Sequence, residues 1–353
     1  MSINEVTRNL LTEHYKKYPE LQLQDIFKYI HQSSFGCEHM VPSLDAVTQY
    51  LQKEYEKAEF SAELYDKLDG EYTRVHFSVL KQGLSVDTFA KLFYLSAEKK
   101  TDGKAALGQK LETVRDLISD GTLPFAPVDF EKELAEWEKN GFSAVHHSDV
   151  FRRTYKPSYR VIADEFVFFM PLFVKLDEKL RKGSVVLAVD GGCGSGKSTL
   201  GEMLKSVYDC TVLHMDDFFL RPEQRTPERF SEVGGNVDRE RFLQEVLISL
   251  SENKPIDYRR FNCATFEIDK AERIYPKRLT VIEGSYSMHE SLSPYYDFSV
   301  FLDISSEKQK QRIEKRNSPE FAVRFFNEWI PMENKYFSEM NVKNRCDMVF
   351  DIF

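Results

Sequence analysis

Cysteine is scarce in this chain of 353 residues, and its distribution disfavours two classes of protein. The cysteines are odd in number, far apart in sequence and without the close spacing of metal ligands: Cys37, Cys193, Cys210, Cys263 and Cys346. This pattern is typical neither of a disulfide-stapled secreted domain nor of a cysteine-based metal site. We therefore expect reduced thiols in a reducing compartment.

Long hydrophobic runs are also missing. The longest, Phe166–Val174, is interrupted by Pro171 and is too short to cross a bilayer, so it predicts a buried segment. The polar start of the chain has no apolar core of the signal-peptide type. We expect a cytoplasmic protein with no membrane partner.

A surplus of positive charge is missing as well. Lys and Arg number 48 against 57 for Asp and Glu, which gives a formal net charge of -9. A nucleic-acid partner is therefore disfavoured, because phosphate backbones bind to basic surfaces. Only the segment 152–160 combines basic and aromatic residues in the manner of a nucleic-acid interface.

Two kinds of sequence pattern divide the chain near residue 182. Residues 1–182 show helical spacing of apolar side chains, and they predict a mainly α-helical domain of unknown role. Residues 183–353 alternate helical patterns with short apolar runs: VVLAVD, TVLHMD, LTVIEG, FSVFLD and MVFDIF. Such alternation predicts an α/β domain with a parallel sheet covered by helices on both faces.

The first of these runs leads into a glycine-rich loop. Gly191, Gly196, Lys197 and Ser198 satisfy the pattern G-x-x-x-x-G-K-[ST], between a predicted strand and a predicted helix. Glycines let backbone N–H groups approach phosphate oxygens, and the helix adds the positive end of its dipole. The alternative, a glycine turn with a stray lysine, does not explain this context. The predicted ATP-binding residues are Gly191, Gly192, Cys193, Gly194, Ser195, Gly196, Lys197, Ser198 and Thr199.

Acidic residues follow the next two predicted strands. Asp216 and Asp217 lie at the carboxyl end of the second, where one of them can act as the general base of a kinase, although a helix N-cap is the alternative. Glu283 ends the third strand and is a candidate, with Ser198, for holding Mg²⁺.

A basic helix follows the fourth predicted strand. Arg312 and Arg316 are four residues apart and share one helix face, so they can form a lid over a phosphoryl group. A solvated basic helix is the alternative interpretation.

Residues 185–353 resemble the uridine kinase and phosphoribulokinase type of P-loop kinase. The matching motifs are GGCGSGKST, DDFF, GGNVD, VIEG, FLD and the R-x-x-x-R lid, in the expected order. The resemblance implies a five-stranded parallel sheet, ATP and Mg²⁺ as cofactors, and phosphorylation of a hydroxyl on a nucleoside or nucleoside-like metabolite. It also implies that Asp216 is the catalytic base and that Lys197, Arg312 and Arg316 assist catalysis.

The same resemblance suggests residues that bind the acceptor. Asp238, preceded by Asn236, matches the aspartate that holds ribose hydroxyls, and Tyr258 matches an aromatic residue near the base. The histidine that follows this tyrosine in uridine kinases is absent, which leaves uridine specificity open. Asp217 is a further candidate, and Arg225 and Arg229 can either recognise an anionic substrate or be surface charges.

The N-terminal half resembles no family of known activity. Its stretches SSFGCEHM and HHSDVFRRTYKPSYRV are rich in functional residue types, and they leave open a second site built from these residues: His39, His146, His147, Arg152, Arg153, Tyr155 and Arg160. A metal site that adds Cys37 and Glu38 is disfavoured, because the ligand spacing is not tight. Helix ends and packing are the simpler interpretation. A nucleotide-gated regulatory protein without a small-molecule acceptor therefore remains the alternative to a kinase.

Overall fold

The computed structural model describes residues 3–37, 41, 43–60, 62–99 and 103–352. The chain forms two compact units, Met1–Glu178 and Lys179–Phe353. The sequence pattern placed the boundary four residues later, within the segment that follows the last helix of the first unit. Within the described part of the chain, no helix has the length and apolar character that crossing a membrane requires.

Helices dominate the first unit, as the apolar periodicity predicts. Helix α5 illustrates the local cause: the Ser85 hydroxyl accepts a hydrogen bond from the Thr88 amide (3.0 Å), and Phe89, Leu92 and Phe93 are buried along one face. The helices are α1 Ile3–Lys17, α2 Leu23–Phe35, α3 Leu44–Tyr55, α4 Ser78–Lys81, α5 Val86–Glu98, α6 Gly103–Ser119, α7 Pro127–Lys139, α8 Asp149–Tyr155, α9 Asp164–Phe168 and α10 Met170–Leu180.

The first unit also contains an antiparallel sheet that the sequence pattern did not predict. Its strands β1 Tyr65–Lys67, β2 Tyr72–His76 and β3 Tyr159–Ala163 pair in the order β1-β2-β3. All five residues of β2 are buried, including Arg74 and His76, so the strand shows no alternation of polar and apolar side chains.

A five-stranded parallel sheet organises the second unit and confirms the predicted fold. The strands β4 Val185–Gly191, β5 Thr211–His214, β10 Leu279–Glu283, β11 Phe298–Ile304 and β12 Met348–Ile352 coincide with the five apolar runs. They pair in the order β12-β11-β4-β10-β5. The register sets Glu283 beside both Val189 and His214, so the carboxyl ends of three strands meet at one edge of the sheet.

Helices and two small hairpins surround this sheet. The hairpins pair β6 Ile256–Tyr258 with β9 Glu272–Ile274, and β7 Phe261–Asn262 with β8 Glu267–Ile268. The helices are α11 Lys197–Tyr208, α12 Pro227–Ser231, α13 Arg239–Phe242, α14 Ile248–Ser251, α15 Ser306–Arg316, α16 Pro319–Arg324, α17 Ile330–Glu339 and α18 Val342–Arg345. Shorter helical turns lie at Met215–Phe218, Pro222–Gln224, Leu243–Leu247, Ser293–Tyr295 and Phe325–Trp329.

Candidate functional site

The loop between β4 and α11 has the tight glycine-dependent turn that the motif predicts. Gly191 has φ +146°, and a Cβ added there would lie 2.5 Å from the Leu302 carbonyl oxygen. Gly194 and Gly196 also have positive φ, at +77° and +102°. A loop of this kind turns successive backbone N–H groups toward one point, which creates an anion-binding concavity at the start of α11.

Lys197 and Ser198 lie where this loop meets the helix. The Lys197 ammonium donates to the carbonyl oxygens of Gly191 (2.8 Å) and Gly192 (3.1 Å). The Ser198 hydroxyl donates to Glu283 Oε1 at 3.0 Å. These groups fit a nucleotide triphosphate: the ammonium, the helix N-terminus and the glycine loop supply positive charge and N–H donors, and the hydroxyl and carboxylate are oxygen ligands of the kind Mg²⁺ prefers.

His214 is a neighbour of this site that the sequence did not single out. It ends β5, and its Nδ1 lies 2.5 Å from Glu283 Oε1. This hydrogen bond, opposed by burial, raises the pKa of His214. Glu283 Oε1 therefore accepts hydrogen bonds from both the His214 imidazole and the Ser198 hydroxyl. A metal ion bound by Glu283 would compete with a protonated His214 for this carboxylate.

Asp216 lies in the short helical turn Met215–Phe218 directly after β5. Its carboxylate is open to solvent, yet the surrounding protein desolvates it enough to raise its pKa. The Lys197 charge acts in the opposite direction, while Glu283 and Glu333 add to the increase. A solvent-accessible carboxylate with a raised pKa is a stronger proton acceptor than an ordinary aspartate, as general-base chemistry requires.

Asp217 points to a different set of partners from its neighbour. Its Oδ2 accepts a hydrogen bond from the Tyr258 hydroxyl (2.7 Å) and lies 3.3 Å from Arg260 Nε. Tyr258 itself is 1% exposed, and its hydroxyl also contacts the backbone of His214. Asp217 and Tyr258, both predicted to bind the acceptor, therefore bond to other protein groups in this structure. Tyr258 is too buried to offer a surface to a ligand.

Glu333 is a second residue that sequence reasoning missed. It projects from α17 and is buried, with Oε2 accepting from the Cys193 amide in the glycine loop (2.9 Å). Its Oε1 accepts from the Ser285 hydroxyl (2.6 Å), which also lies 3.3 Å from the Lys197 ammonium. The Glu333 carboxylate thus accepts a hydrogen bond from a loop amide that could otherwise donate to a bound anion.

The basic helix α15 places only one of its two predicted lid arginines on the loop. Arg312 Nη1 donates to the carbonyl oxygens of Gly194 (3.0 Å) and Ser195 (3.3 Å). Gln309, one turn earlier, donates to the Cys193 carbonyl (2.9 Å). Arg316 is exposed, and its guanidinium lies 5.8 Å from the centre of the Phe325 ring.

Comparison with known proteins assigns this part of the chain to a family. The profile of the Phosphoribulokinase / Uridine kinase family matches residues 186–317. This segment is a phosphoribulokinase / uridine kinase family domain. The N-terminal unit has no family assignment.

Individual relatives match about a third of this chain. A chloroplastic phosphoribulokinase of Spinacia oleracea is 30% identical over 143 residues, which cover 34% of this chain and 35% of the relative. A uridine kinase of Chlamydia pneumoniae is 25% identical over 135 residues, covering 35% of this chain and 60% of the relative. The match thus spans about a third of the length of the phosphoribulokinase.

Solved structures cover a larger share of the chain. A structure described as a possible uridine kinase from Bacillus stearothermophilus is 22% identical, with a TM-score of 0.39. It covers 51% of this chain and the whole of that chain.

The kinase-family domain holds its other predicted acceptor residues within the loop that follows β5. Asp238 is 3% exposed and caps α13, with Oδ1 accepting from the Arg241 amide (3.1 Å) and Oδ2 accepting from Gln224 Nε2 (2.9 Å). Asn236 Oδ1 is buried and has no hydrogen-bond partner in the described part of the chain. Both carboxylate oxygens of Asp238 thus accept hydrogen bonds from protein groups, whereas the side-chain oxygen of Asn236 accepts none from the described residues.

The Arg229 side chain of the kinase-family domain is bound by protein groups on all sides. Its guanidinium donates to the carbonyl oxygens of Gly235 (3.1 Å) and Val237 (2.8 Å), and it forms a paired contact with Glu240 at 2.8 and 2.6 Å. With Glu232 at 3.2 Å, no donor remains for a substrate. In this structure Arg229 therefore acts as a clamp of the loop 226–240. Arg225 is exposed and donates to the Leu220 carbonyl (3.0 Å).

We expect Arg229→Gln to destabilise the kinase-family domain by about 2 kcal/mol, since hydrogen bonds to charged groups contribute about that much. Arg225→Gln is the matched control, because it removes a neighbouring arginine that is exposed, and its effect should stay below about 0.5 kcal/mol. Urea unfolding of both variants measures the difference. Equal losses of unfolding free energy in the two variants would contradict the role of Arg229 as a clamp.

Glu333→Gln is expected to tighten ATP binding about tenfold. The substitution keeps an oxygen that can accept from the Cys193 amide but removes a negative charge from the phosphate-binding loop, and a charge repulsion of about 1.4 kcal/mol corresponds to that factor. Titration calorimetry with ATP measures it, and Glu339→Gln, exposed on the same helix, is the control. A weaker affinity would mean that the carboxylate holds the loop in its binding conformation.

The suggested metal site in the N-terminal half has no support in the described residues. Among them, no group of three or more His, Cys, Asp and Glu side chains could hold a metal ion. Glu38 and His39 lie outside the described residues. His147, by contrast, belongs to a buried polar network in the first unit.

Proposed function

We propose that this protein is an ATP-dependent kinase that transfers the γ-phosphoryl group to a hydroxyl of a small molecule. The observation that carries the proposal is the position of Asp216, a proton acceptor with a raised pKa at the same sheet edge as the glycine loop. The charge of Lys197 acts directly on it. A base and a phosphate site on one cleft are what phosphoryl transfer to a hydroxyl needs.

Each residue of the cleft has a separable task in this proposal. Asp216 orients the acceptor hydroxyl and takes its proton, while Lys197 and the loop amides hold the phosphates. Ser198 and Glu283 would hold Mg²⁺, which neutralises charge on the phosphates when it is bound. Arg312, already on the loop, and Arg316, on the same helix face, stabilise the transferred group.

The acceptor we propose is a nucleoside or a nucleoside-like metabolite. The GGNVD motif and the name of the uridine kinase relative support this class. Because Asp238 and Tyr258 are buried and engaged by protein groups, we propose that they support the wall of the acceptor pocket, and that the partly exposed Asn236 side chain contacts the acceptor directly. The free state of all five cysteines supports the further proposal of a reducing, cytoplasmic location.

A coupled assay of ADP release from Mg-ATP, with a panel of nucleosides, sugars and vitamins, tests the proposal. Strong stimulation by one acceptor, together with a phosphorylated product detected by mass spectrometry, supports a kinase. Tight ATP binding without stimulation by any acceptor would instead support the alternative, a nucleotide-gated regulatory protein. Stimulation by sugars or vitamins but by no nucleoside would retain the kinase and reject the proposed acceptor class.

A further inference from the structure

A cavity of about 420 Å³ lies within the first unit, remote in sequence from every kinase motif. Its volume is in the range of small-molecule binding sites. Charged and aromatic side chains line it, among them Lys17, Tyr18, Asp66, Arg74, His76 and Tyr159. We call it the Arg74 cavity.

Arg74 is the most unusual residue of this cavity because it is charged and fully buried, with 0% exposure on the central strand β2. Its Nε donates to Gln32 Oε1 (2.8 Å), and its Nη1 lies 3.2 Å from His14 Nε2. Its Nη2 is buried without a hydrogen-bond partner. An arginine cannot shed its proton to escape burial, so it retains an unsatisfied donor and a full charge.

No described carboxylate neutralises this guanidinium through an ion pair. Asp66, the cross-strand neighbour of Arg74, is bound instead by Lys17, by the Tyr18 hydroxyl (2.8 Å) and by His76 Nε2 (3.0 Å). His14 is neutral, since burial and the charge of Arg74 lower its pKa well below the usual value, so it neither compensates the guanidinium nor adds a second positive charge. The groups that contact the guanidinium directly, Gln32, His14 and the Tyr159 ring, are all neutral, and Asp66 is engaged by other residues.

The neutral partners of Arg74 are held rigidly. The ring of Tyr159 lies 4.9 Å from the Arg74 guanidinium, and its hydroxyl lies 2.6 Å from His147 Nε2. His147 Nδ1 lies in turn 2.7 Å from Asp25 Oδ1, while burial lowers the pKa of His147 to about 3. A neutral His147 donates to Asp25 and accepts from Tyr159, so the chain Asp25–His147–Tyr159 fixes one wall of the cavity.

Aromatic rings form much of the remaining wall. Tyr18 lies against Phe151 (5.2 Å between ring centres) and Tyr155 (5.0 Å), and all three line the cavity. Such surfaces favour flat, ring-containing molecules. The cavity thus combines a guanidinium that has no ion-pair partner among the described residues with an aromatic lining, while its carboxylates Glu59, Glu63 and Asp66 are paired with Lys156 or Lys17.

We propose that the Arg74 cavity binds a small ring-containing anion, whose carboxylate or phosphate group is the missing partner of Arg74. The planar guanidinium matches the paired oxygens of either group. The ring lies against the tyrosines. This site gives a function to the segment HHSDVFRRTYKPSYR, which contributes His147, Phe151, Tyr155 and Tyr159, and it does not depend on the proposed kinase activity.

Titration calorimetry on the full chain tests the proposal with three probes: benzoate, AMP and inorganic phosphate. All measurements use the Lys197→Met background, so that AMP binding to the glycine loop does not contribute. We expect benzoate or AMP to bind, with adenosine and benzamide at least tenfold weaker. Preference for benzoate assigns a carboxylate ligand and preference for AMP a phosphate ligand. If neither benzoate nor AMP binds, the proposal is overturned, whether or not inorganic phosphate binds.

Arg74→Met, made in the same background, separates a ligand site from a structural arginine. We expect at least a tenfold loss of probe affinity, and a melting temperature without ligand that is unchanged or higher because an unsatisfied buried charge has been removed. Lys156→Gln, an exposed residue of the cavity rim, should change affinity less than threefold. If Arg74→Met fails to fold, Tyr159→Phe replaces it, with an expected loss of threefold or more. Unchanged affinity in the folded variant would overturn the proposal.

Discussion

Asp216→Asn is expected to lower kcat for phosphoryl transfer by about 10³-fold while leaving the Kd for ATP within about threefold. General-base catalysis by a positioned side chain contributes about 10²- to 10⁴-fold, and an amide of the same shape cannot accept the proton of the acceptor hydroxyl. Affinity for ATP should persist because Asp216 makes no contact with Lys197 or Ser198 through a hydrogen bond in the described residues. Single-turnover kinetics and calorimetry measure the two quantities.

Asp217→Asn is the matched control for this prediction. It removes a neighbouring carboxylate that is committed to Tyr258 and Arg260, so it should reduce stability and acceptor affinity but lower kcat less than about tenfold. The reverse order, with Asp217→Asn the more damaging to kcat, would show that the base has been assigned to the wrong aspartate.

The pH profile gives a second, independent readout of Asp216. Its deprotonated form is the active one, so kcat/KM should fall as the pH drops through the pKa of Asp216, which desolvation raises above the ordinary aspartate value. The acidic limb should therefore lie at a higher pH than that of an exposed aspartate, and it should vanish from the residual activity of Asp216→Asn. An identical limb in both proteins would assign it to another group.

Lys197→Met is expected to weaken ATP binding by about 10²-fold or more. The ammonium is a point charge at the mouth of the glycine loop, where a nucleotide brings several negative charges into a partly desolvated site. Methionine keeps most of the side-chain volume, so the melting temperature should change little. Calorimetry with ATP, alongside a thermal melt, distinguishes loss of affinity from loss of fold.

Lys205→Met is the control for Lys197→Met because Lys205 is exposed on the same helix, two turns further on. It removes the same net charge and should leave ATP affinity within about twofold, since exposed charges at this separation are screened by salt. A similar loss in both variants would attribute the effect to net charge and leave the loop lysine without a special role.

The second unit could be predicted from sequence because its signals are local. Each buried parallel strand is a short apolar run, and the glycine loop needs φ values that few other residues adopt, so both leave marks within a few neighbouring positions. The position of Asp216 directly after the second of these strands follows from the same local signals.

The parts that could not be predicted depend on contacts between distant residues. Glu333 is an ordinary helical glutamate in sequence, and only the fold brings it to Cys193, 140 positions away. Arg229 and Asp238 match substrate-binding patterns, yet their hydrogen bonds go to protein groups that no local pattern identifies. In the first unit, β2 escaped prediction because Arg74 is buried against His14 and Tyr159, which come from the two ends of that unit.

The contacts of α17 bear on how the second unit can be shortened for study. Tyr336 donates a hydrogen bond to the buried Asp190 (2.7 Å), which also accepts from the Gly191 amide at the root of the glycine loop. Glu333 holds the same loop, and β12 covers the edge of β11. A fragment that ends at residue 317 would keep every recognisable motif but lose these supports and expose a sheet edge prone to aggregation. We therefore expect that a fragment of the unit needs to extend through Ile352 to keep these contacts.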